Sequence, residues 1–309
     1  MKMYFKLVGL LSLGLMFFGA CKPATPVPTA IITSSVANNV VTFSLKTTNS
    51  SAYNWKFGDG DTAIVYSSAA IVHAYPKDGT TYSVSLLVLG PGGENTASTT
   101  VTIPTMTPMD KLTGGSSFTN GKAWRVSASY GITLAAPDSI MTLVENFPIG
   151  ILTNIQLSLA YTDKYIFFSN GNYSINNLGG GALAGLTYCA AKGIPNVAPQ
   201  LTDSLGLTYA TPLTPPDNLN FSWNAGKNLT IAATSDGKAT TYVTYRNVNT
   251  LSFSNGGYFG LLDYASECVV LLLAPTQMTV AYFSSDLPAQ SPQIGKITSV
   301  LIVTLEVVP

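Results

Sequence analysis

The sequence predicts an all-β chain of two domains, a small β-sandwich followed by a larger antiparallel β-domain. Three observations carry that expectation. Short runs alternate apolar and polar residues at strand period, as in Tyr82, Val84 and Leu86 against Ser83 and Ser85. Frequent Gly and Pro punctuate these runs, and no long helical period follows residue 20. A length of 309 residues leaves room for two domains.

Composition narrows the partner. Charged residues make up 10% of the chain against 46% hydrophobic, so Ser, Thr, Asn, Gly and Tyr must fill much of the surface. Fifteen basic and fifteen acidic residues cancel, which leaves no electrostatic footprint for nucleic acid or for an anionic membrane surface. A polar, uncharged partner fits better.

Residues 1–20 read as a targeting segment. Lys2 and Lys6 form a basic start, Leu7 to Phe18 an apolar stretch short for a membrane span, and Gly19-Ala20-Cys21 a small-residue cleavage site. This resembles a bacterial lipoprotein signal, which implies that Cys21 becomes the lipidated first residue. An ordinary secretory signal with an incidental cysteine is the alternative, and Phe18 stands where leucine is more usual. Acyl chains contribute roughly 0.8 kcal/mol per buried methylene, so a multiply acylated Cys21 would anchor the protein durably. The Pro-rich stretch 21–28 is then an extended tether. Lipoproteins exported to the cell surface in Bacteroidota often carry an acidic run behind the lipidated cysteine; none follows Cys21, so the resemblance leaves an outer-membrane lipoprotein facing the periplasm open beside one at the cell surface.

Residues 29–104 are organised around Trp55-Lys56-Phe57-Gly58-Asp59-Gly60-Asp61, His73-Ala74-Tyr75 and the strand Thr81-Tyr82-Ser83-Val84. Trp55 and Phe57 share one strand face, and Gly58 and Gly60 permit a tight turn. Strands are expected near 29–34, 40–47, 52–57, 69–74, 81–89 and 96–103. Together these residues resemble the PKD domain, which implies an immunoglobulin-like sandwich serving as a spacer or binding module. Asp59 and Asp61 suit a hard cation such as calcium, or simply accept hydrogen bonds within their own turn. His73 is the only histidine, which excludes a two-histidine metal site, and no metal or cofactor is expected.

A linker at 105–109, around Pro104 and Pro108, precedes the second domain, 110–309. It is expected to be a jelly-roll-like β-sandwich or a barrel, with strands near 122–128, 155–160, 164–169, 172–175, 219–223, 228–233, 239–245, 249–253, 267–273, 278–283 and 297–307. Ala274-Pro275-Thr276-Gln277 reads as a hairpin turn. Leu112-Thr113-Gly114-Gly115, Lys122-Ala123-Trp124, Asn170-Gly171-Asn172-Tyr173, Leu251-Ser252-Phe253 and Gly256-Gly257-Tyr258-Phe259-Gly260 look like the C-terminal β-domain of PKD-containing lipoproteins in carbohydrate-uptake systems of Bacteroidota. That resemblance implies glycan contact near the outer membrane, in or beside a transport complex.

Sugars stack on aromatic rings, while amides and hydroxyls take up their oxygens. Tyr258, Phe259 and Tyr264 lie in a Gly-rich stretch and lead the expected contacts, with Trp223 joining them at a strand end; Trp124 reads as core. A hydrolase is the rival class, since glycoside hydrolysis uses two carboxylates. Among 11 carboxylates in this domain only Asp263 and Glu267 are close in sequence, at a spacing that matches no such motif, so no catalytic residue is assigned. A structural or docking subunit of an outer-membrane complex is the third reading. Thr62, Ser139 and Ser204 each follow an Asp and precede an apolar residue, a pattern resembling O-glycosylation sites of Bacteroidota. Cys189 and Cys268, even in number in an exported chain, read either as a disulfide or as two buried thiols.

Overall fold

The structure is a computed structural model that describes residues 24–116, 118–137, 139–178, 180–195, 206–233, 241–284 and 299–308. Cys21 and Ser204 lie outside the described residues. Two compact units are present: one holds 42–71 and 82–101 with the chain up to Ser34, the other Thr102–Pro309 with Ser35–Val41 and Val72–Thr81.

In the N-terminal region β1 (Thr29–Ala37), β2 (Val40–Thr48) and β5 (Ile71–Ala74) form one sheet, in the order β1-β2-β5. The other sheet runs β4-β3-β6-β7, from β3 (Ala52–Lys56), β4 (Thr62–Val65), β6 (Thr81–Gly90) and β7 (Gly93–Thr102). The inward face follows the strand period: Tyr53, Trp55 and Phe57 are buried with Tyr82, Val84, Leu86 and Val88. Trp55 and Phe57 stack at 5.9 Å, and Phe43 lies 5.4 Å from Trp55. At the β3–β4 turn Phe57 N–H donates to the Asp61 carbonyl and Asp61 N–H to Asp59 Oδ1 at 3.1 Å, with Gly58 and Gly60 at φ of 90° and 109°. Asp59 thus serves its own turn. Thr62, at the start of β4, is exposed.

In the second domain eight strands close an antiparallel barrel. They are β8 (Lys122–Val126), β11 (Lys164–Phe167), β12 (Asn172–Asn176), β15 (Leu219–Ala233), β16 (Thr241–Phe253), β17 (Glu267–Leu273), β18 (Gln277–Ser284) and β19 (Ser299–Val307), joined in the order β8-β11-β12-β15-β16-β17-β18-β19. Pairing of β19 back onto β8, Leu305 opposite Val126, completes the ring. Between these lie α1 (Pro108–Thr113), β9 (Thr133–Ala136), β10 (Ser139–Asn146), α2 (Ile151–Asn154), β13 (Ala182–Gly185), α3 (Leu186–Lys192) and β14 (Leu207–Ala210). The strand β9 extends the sheet by pairing with the start of β19, and β13 pairs with β14 as a separate ribbon.

The barrel is a filled core, as eight strands allow. Trp124, Tyr165, Phe167, Tyr173, Phe221, Leu251, Phe253, Val280, Tyr282 and Val303 belong to one buried cluster. Alternate residues of β17 to β19, Val269, Ala281, Phe283 and Val300, join a second cluster with Leu229 and Tyr245. Both faces are covered where Cys268, Val269 and Val270 stand, which is why the run begins unbroken there, whereas Leu271 and Leu272 are exposed.

Local chemistry sets the ends of the elements. In α1, Thr107 caps the N-terminus by accepting from Asp110 N–H, and Gly114 ends it at φ 79°. Two inward residues of β8 satisfy carbonyls of that helix: Trp124 Nε1 donates to Leu112 O at 2.8 Å and Lys122 Nζ to Lys111 O at 2.6 Å. Across the closing seam Glu306 accepts from Arg125 Nε and from Ser127 Oγ, at 2.8 and 2.6 Å.

Several expectations change, among them that 249–253 is not a separate strand but the end of β16. The linker is short, since Pro108 and Met109 already belong to α1. Segment 155–160, expected as a strand, follows α2 and enters a 3-10 turn at Ser158–Tyr161; Leu152, Leu157 and Ala160 are buried while Leu159 is exposed, a helical rather than alternating choice. The separate runs 219–223 and 228–233 are one strand, because register irregularities between Asn224 and Leu229 let β15 continue.

Candidate functional site

Two of the four expected ligand aromatics are core residues. Gly256 and Gly260, at φ of 79° and 73°, reverse the chain so that Tyr258 and Phe259 enter the barrel, where they are 3% and 2% exposed. Phe259 meets Tyr165 and Phe167 edge-on at 5.2 Å, and Tyr173 Oη donates to the Tyr258 carbonyl at 2.6 Å. The sequence signal misled because a Gly-rich stretch suits an inward plug as well as a surface loop. Trp223 is half-buried and packs on the barrel core. Tyr264 stays half-exposed, edge-on to Tyr188 at 5.0 Å, with Lys192 Nζ 5.9 Å from its ring.

A different surface carries an uncharged groove. Cross-strand pairing of β12 with β15 sets Asn172 opposite Asn220 and Tyr173 opposite Leu219. Beside that seam lies a cavity of about 390 Å³ lined by Phe168, Asn172, Tyr173, Ser174, Asn218, Leu219 and Asn220. Tyr173 and Leu219 are its buried floor, whereas Asn172, Asn218 and Asn220 are exposed and Phe168 and Ser174 half-exposed. Turns hold the rim. Asn170 Oδ1 accepts from Asn172 N–H at 3.0 Å, and Asn255 Nδ2 donates to the Asn218 carbonyl at 2.9 Å. The carboxamides of Asn172 and Asn218 have no hydrogen-bond partner among the described residues. No lining residue is charged. Sequence reasoning missed this site because its two halves are some fifty residues apart, and only the β12–β15 pairing joins the Asn-Gly-Asn turn to Asn218-Leu219-Asn220.

The two neighbouring carboxylates have separate partners. Asp263 is buried and accepts from Ser284 Oγ at 3.0 Å and from Tyr264 N–H at 2.7 Å. Glu267 takes both oxygens to Lys227 Nζ, at 2.7 and 2.8 Å, and accepts from Thr250 Oγ1. Cys189 and Cys268 are free, buried thiols, so the disulfide reading is corrected in favour of small apolar residues. Burial pushes the Cys189 thiol up to about 11 and raises that of Cys268 further.

Two further ionisable groups are buried in this domain. Lys122 donates to Lys111 O and Pro275 O, lies over the Trp124 ring at 4.9 Å, and is lowered by burial to about 7. Asp163 has 0% exposure, neither carboxylate oxygen has a partner, and burial raises it to about 7. In the first domain Asp59, Asp61 and His73 each bring one ligand atom within 4.8 Å of the others. Among the described residues no helix is long and apolar enough to cross a membrane.

The comparisons speak to the first domain. Residues 23–104 match the family model described as the PKD domain. Crystal structures of two PKD1 domains are similar: that of Vibrio anguillarum Epp, at 23% identity, covering 26% of this chain and 99% of that one with a TM-score of 0.24, and that of the Vibrio cholerae metalloprotease PrtV, at 28%, 26%, 100% and 0.24. No curated protein matches the chain. The family match and the two-sheet fold together make residues 23–104 a PKD domain.

Proposed function

We propose that this protein is an outer-membrane lipoprotein without catalytic activity that binds a neutral glycan in the β12–β15 groove, with the PKD domain as its spacer. The observation that carries this reading is an uncharged groove of about 390 Å³ rimmed by three exposed asparagines with a half-exposed serine and phenylalanine. Phe168 offers an apolar face for a sugar ring, and the Asn172 and Asn218 carboxamides each supply a donor and an acceptor for paired hydroxyls. The absence of charge in the lining favours neutral over acidic sugars. Anchoring rests on the sequence features around Cys21.

Calorimetry of the purified protein against neutral plant, host and microbial oligosaccharides tests the binding. Binding of one class, weakened at least tenfold by Phe168→Ala or by Asn172→Ala with Asn218→Gly, is expected; glycine keeps the positive φ of Asn218. Silence across all classes would shift the reading to a docking subunit of an outer-membrane transport complex. Cys21→Ser should release the protein from the membrane fraction.

A further inference from the structure

Three Asn-Gly pairs occur in the chain, Asn120-Gly121, Asn170-Gly171 and Asn255-Gly256. In such a pair the glycine nitrogen can attack the carboxamide before it, because no side chain hinders its approach. All three asparagines are exposed, so access to water does not distinguish them. Their glycine amides do. Gly121 N–H donates to Phe118 O and Gly171 N–H to Phe168 O, each at 3.0 Å, and each bond must break before its nitrogen can react. Asn170 is held further, since its Oδ1 accepts from Asn172 N–H at 3.0 Å. Gly256 N–H has no hydrogen-bond partner among the described residues. It stands in a turn closed by Gly257 N–H donating to Ser254 O at 2.9 Å, with Asn255 and Gly256 at φ of 55° and 79°. In a primed turn of this kind the ring bond uses the outer residues and leaves the amide between the two central ones unbonded.

We infer that Asn255 is a deamidation site built into this turn, reacting ahead of Asn120 and Asn170. The Gly256 nitrogen forms a bond to Asn255 Cγ, the Cγ–Nδ2 bond breaks, and ammonia leaves with the proton of the Gly256 amide. The succinimide that remains is opened by water at either carbonyl, giving aspartate or isoaspartate. Both products lose Nδ2, the group that donates to the Asn218 carbonyl at 2.9 Å, and put a carboxylate where that donor stood. Two acceptors then face each other, so the tie between the 255 turn and Asn218 is lost. Isoaspartate also adds a methylene to the main chain just before Tyr258 and Phe259, which are packed inside the barrel. A negative charge comes to stand beside a groove with no charged lining residue.

Peptide mapping by mass spectrometry of the purified protein, held at mildly alkaline pH, tests this. In the folded protein Asn255 should convert several-fold faster than Asn120 or Asn170, and a protein isoaspartyl methyltransferase should label the product at that position. In urea the three should convert at similar rates, because each then sees only its neighbouring glycine. The melting midpoint should fall as Asn255 converts, and Asn255→Asp, which keeps the main chain intact, should reproduce the part of that fall due to the lost donor. Conversion of Asn120 or Asn170 first in the folded protein would overturn the inference. So would equal rates at all three sites when folded, or the same order in urea, which would take the turn out of the cause.

Discussion

Lys122 turns its amine into the protein, and among the described residues no carboxylate accompanies it. Its amine titrates at 10.5 in the unfolded chain and at about 7 when folded. Between those values the unfolded state binds one proton more, so stability rises as pH increases from about 7 to 10.5 and gains nothing from this group below that window. Denaturant titrations should show a rise of up to about 5 kcal/mol, and Lys122→Met should flatten it. Phe259 makes the converse point about reading single residues. Its ring sits among Tyr165, Phe167, Phe253 and Tyr282, so Phe259→Ala should remove about 3 to 5 kcal/mol of stability. A lower melting point checks it; unchanged melting with weakened glycan binding would restore the contact role. Cys189 and Cys268 should both react with a thiol reagent after unfolding without reductant, and neither before it. Spacing could not decide between bridge and thiols, because a disulfide depends on a distance the strand order alone sets.

Among the elements, α1 and β8 show how much of this fold is a local arrangement. The sequence set Leu112 and Trp124 twelve positions apart, and the structure uses the indole N–H to satisfy the helix's carbonyl. Trp124→Phe keeps an aromatic ring while orphaning that oxygen, and should destabilise by about 1 to 3 kcal/mol in chemical denaturation. The strands β17 and β18 and the turn between them were legible, because an apolar run, a Pro-containing turn and a second apolar run need no distant information; Ala274 N–H indeed donates to the Gln277 carbonyl at 2.8 Å. The strands β9, β13 and β14 were not, since four-residue segments such as Ala182–Gly185 and Leu207–Ala210 are buried throughout and carry no alternation. The groove fell in this second class. Its residues are ordinary turn asparagines until β12 and β15 pair.

For the whole molecule, fifteen charges of each sign and an uncharged groove imply that the proposed glycan binding owes little to long-range attraction. Raising NaCl from 50 to 500 mM should change the glycan affinity less than threefold, whereas a charge-driven complex would lose far more. The all-β class and the two domains were legible from composition and punctuation, but closure was not: sandwich and barrel share the same strand pattern and differ only in which edges meet. That seam carries a kinetic consequence. Ser127 and Glu306, which meet across it, are separated by 179 positions. Strands added one after another can pair with their predecessors, yet the flank of β8 must wait for β19. Until then the nascent sheet presents an open edge able to recruit a neighbouring molecule. A chain shortened before Ser299 should therefore self-associate during synthesis rather than merely melt earlier.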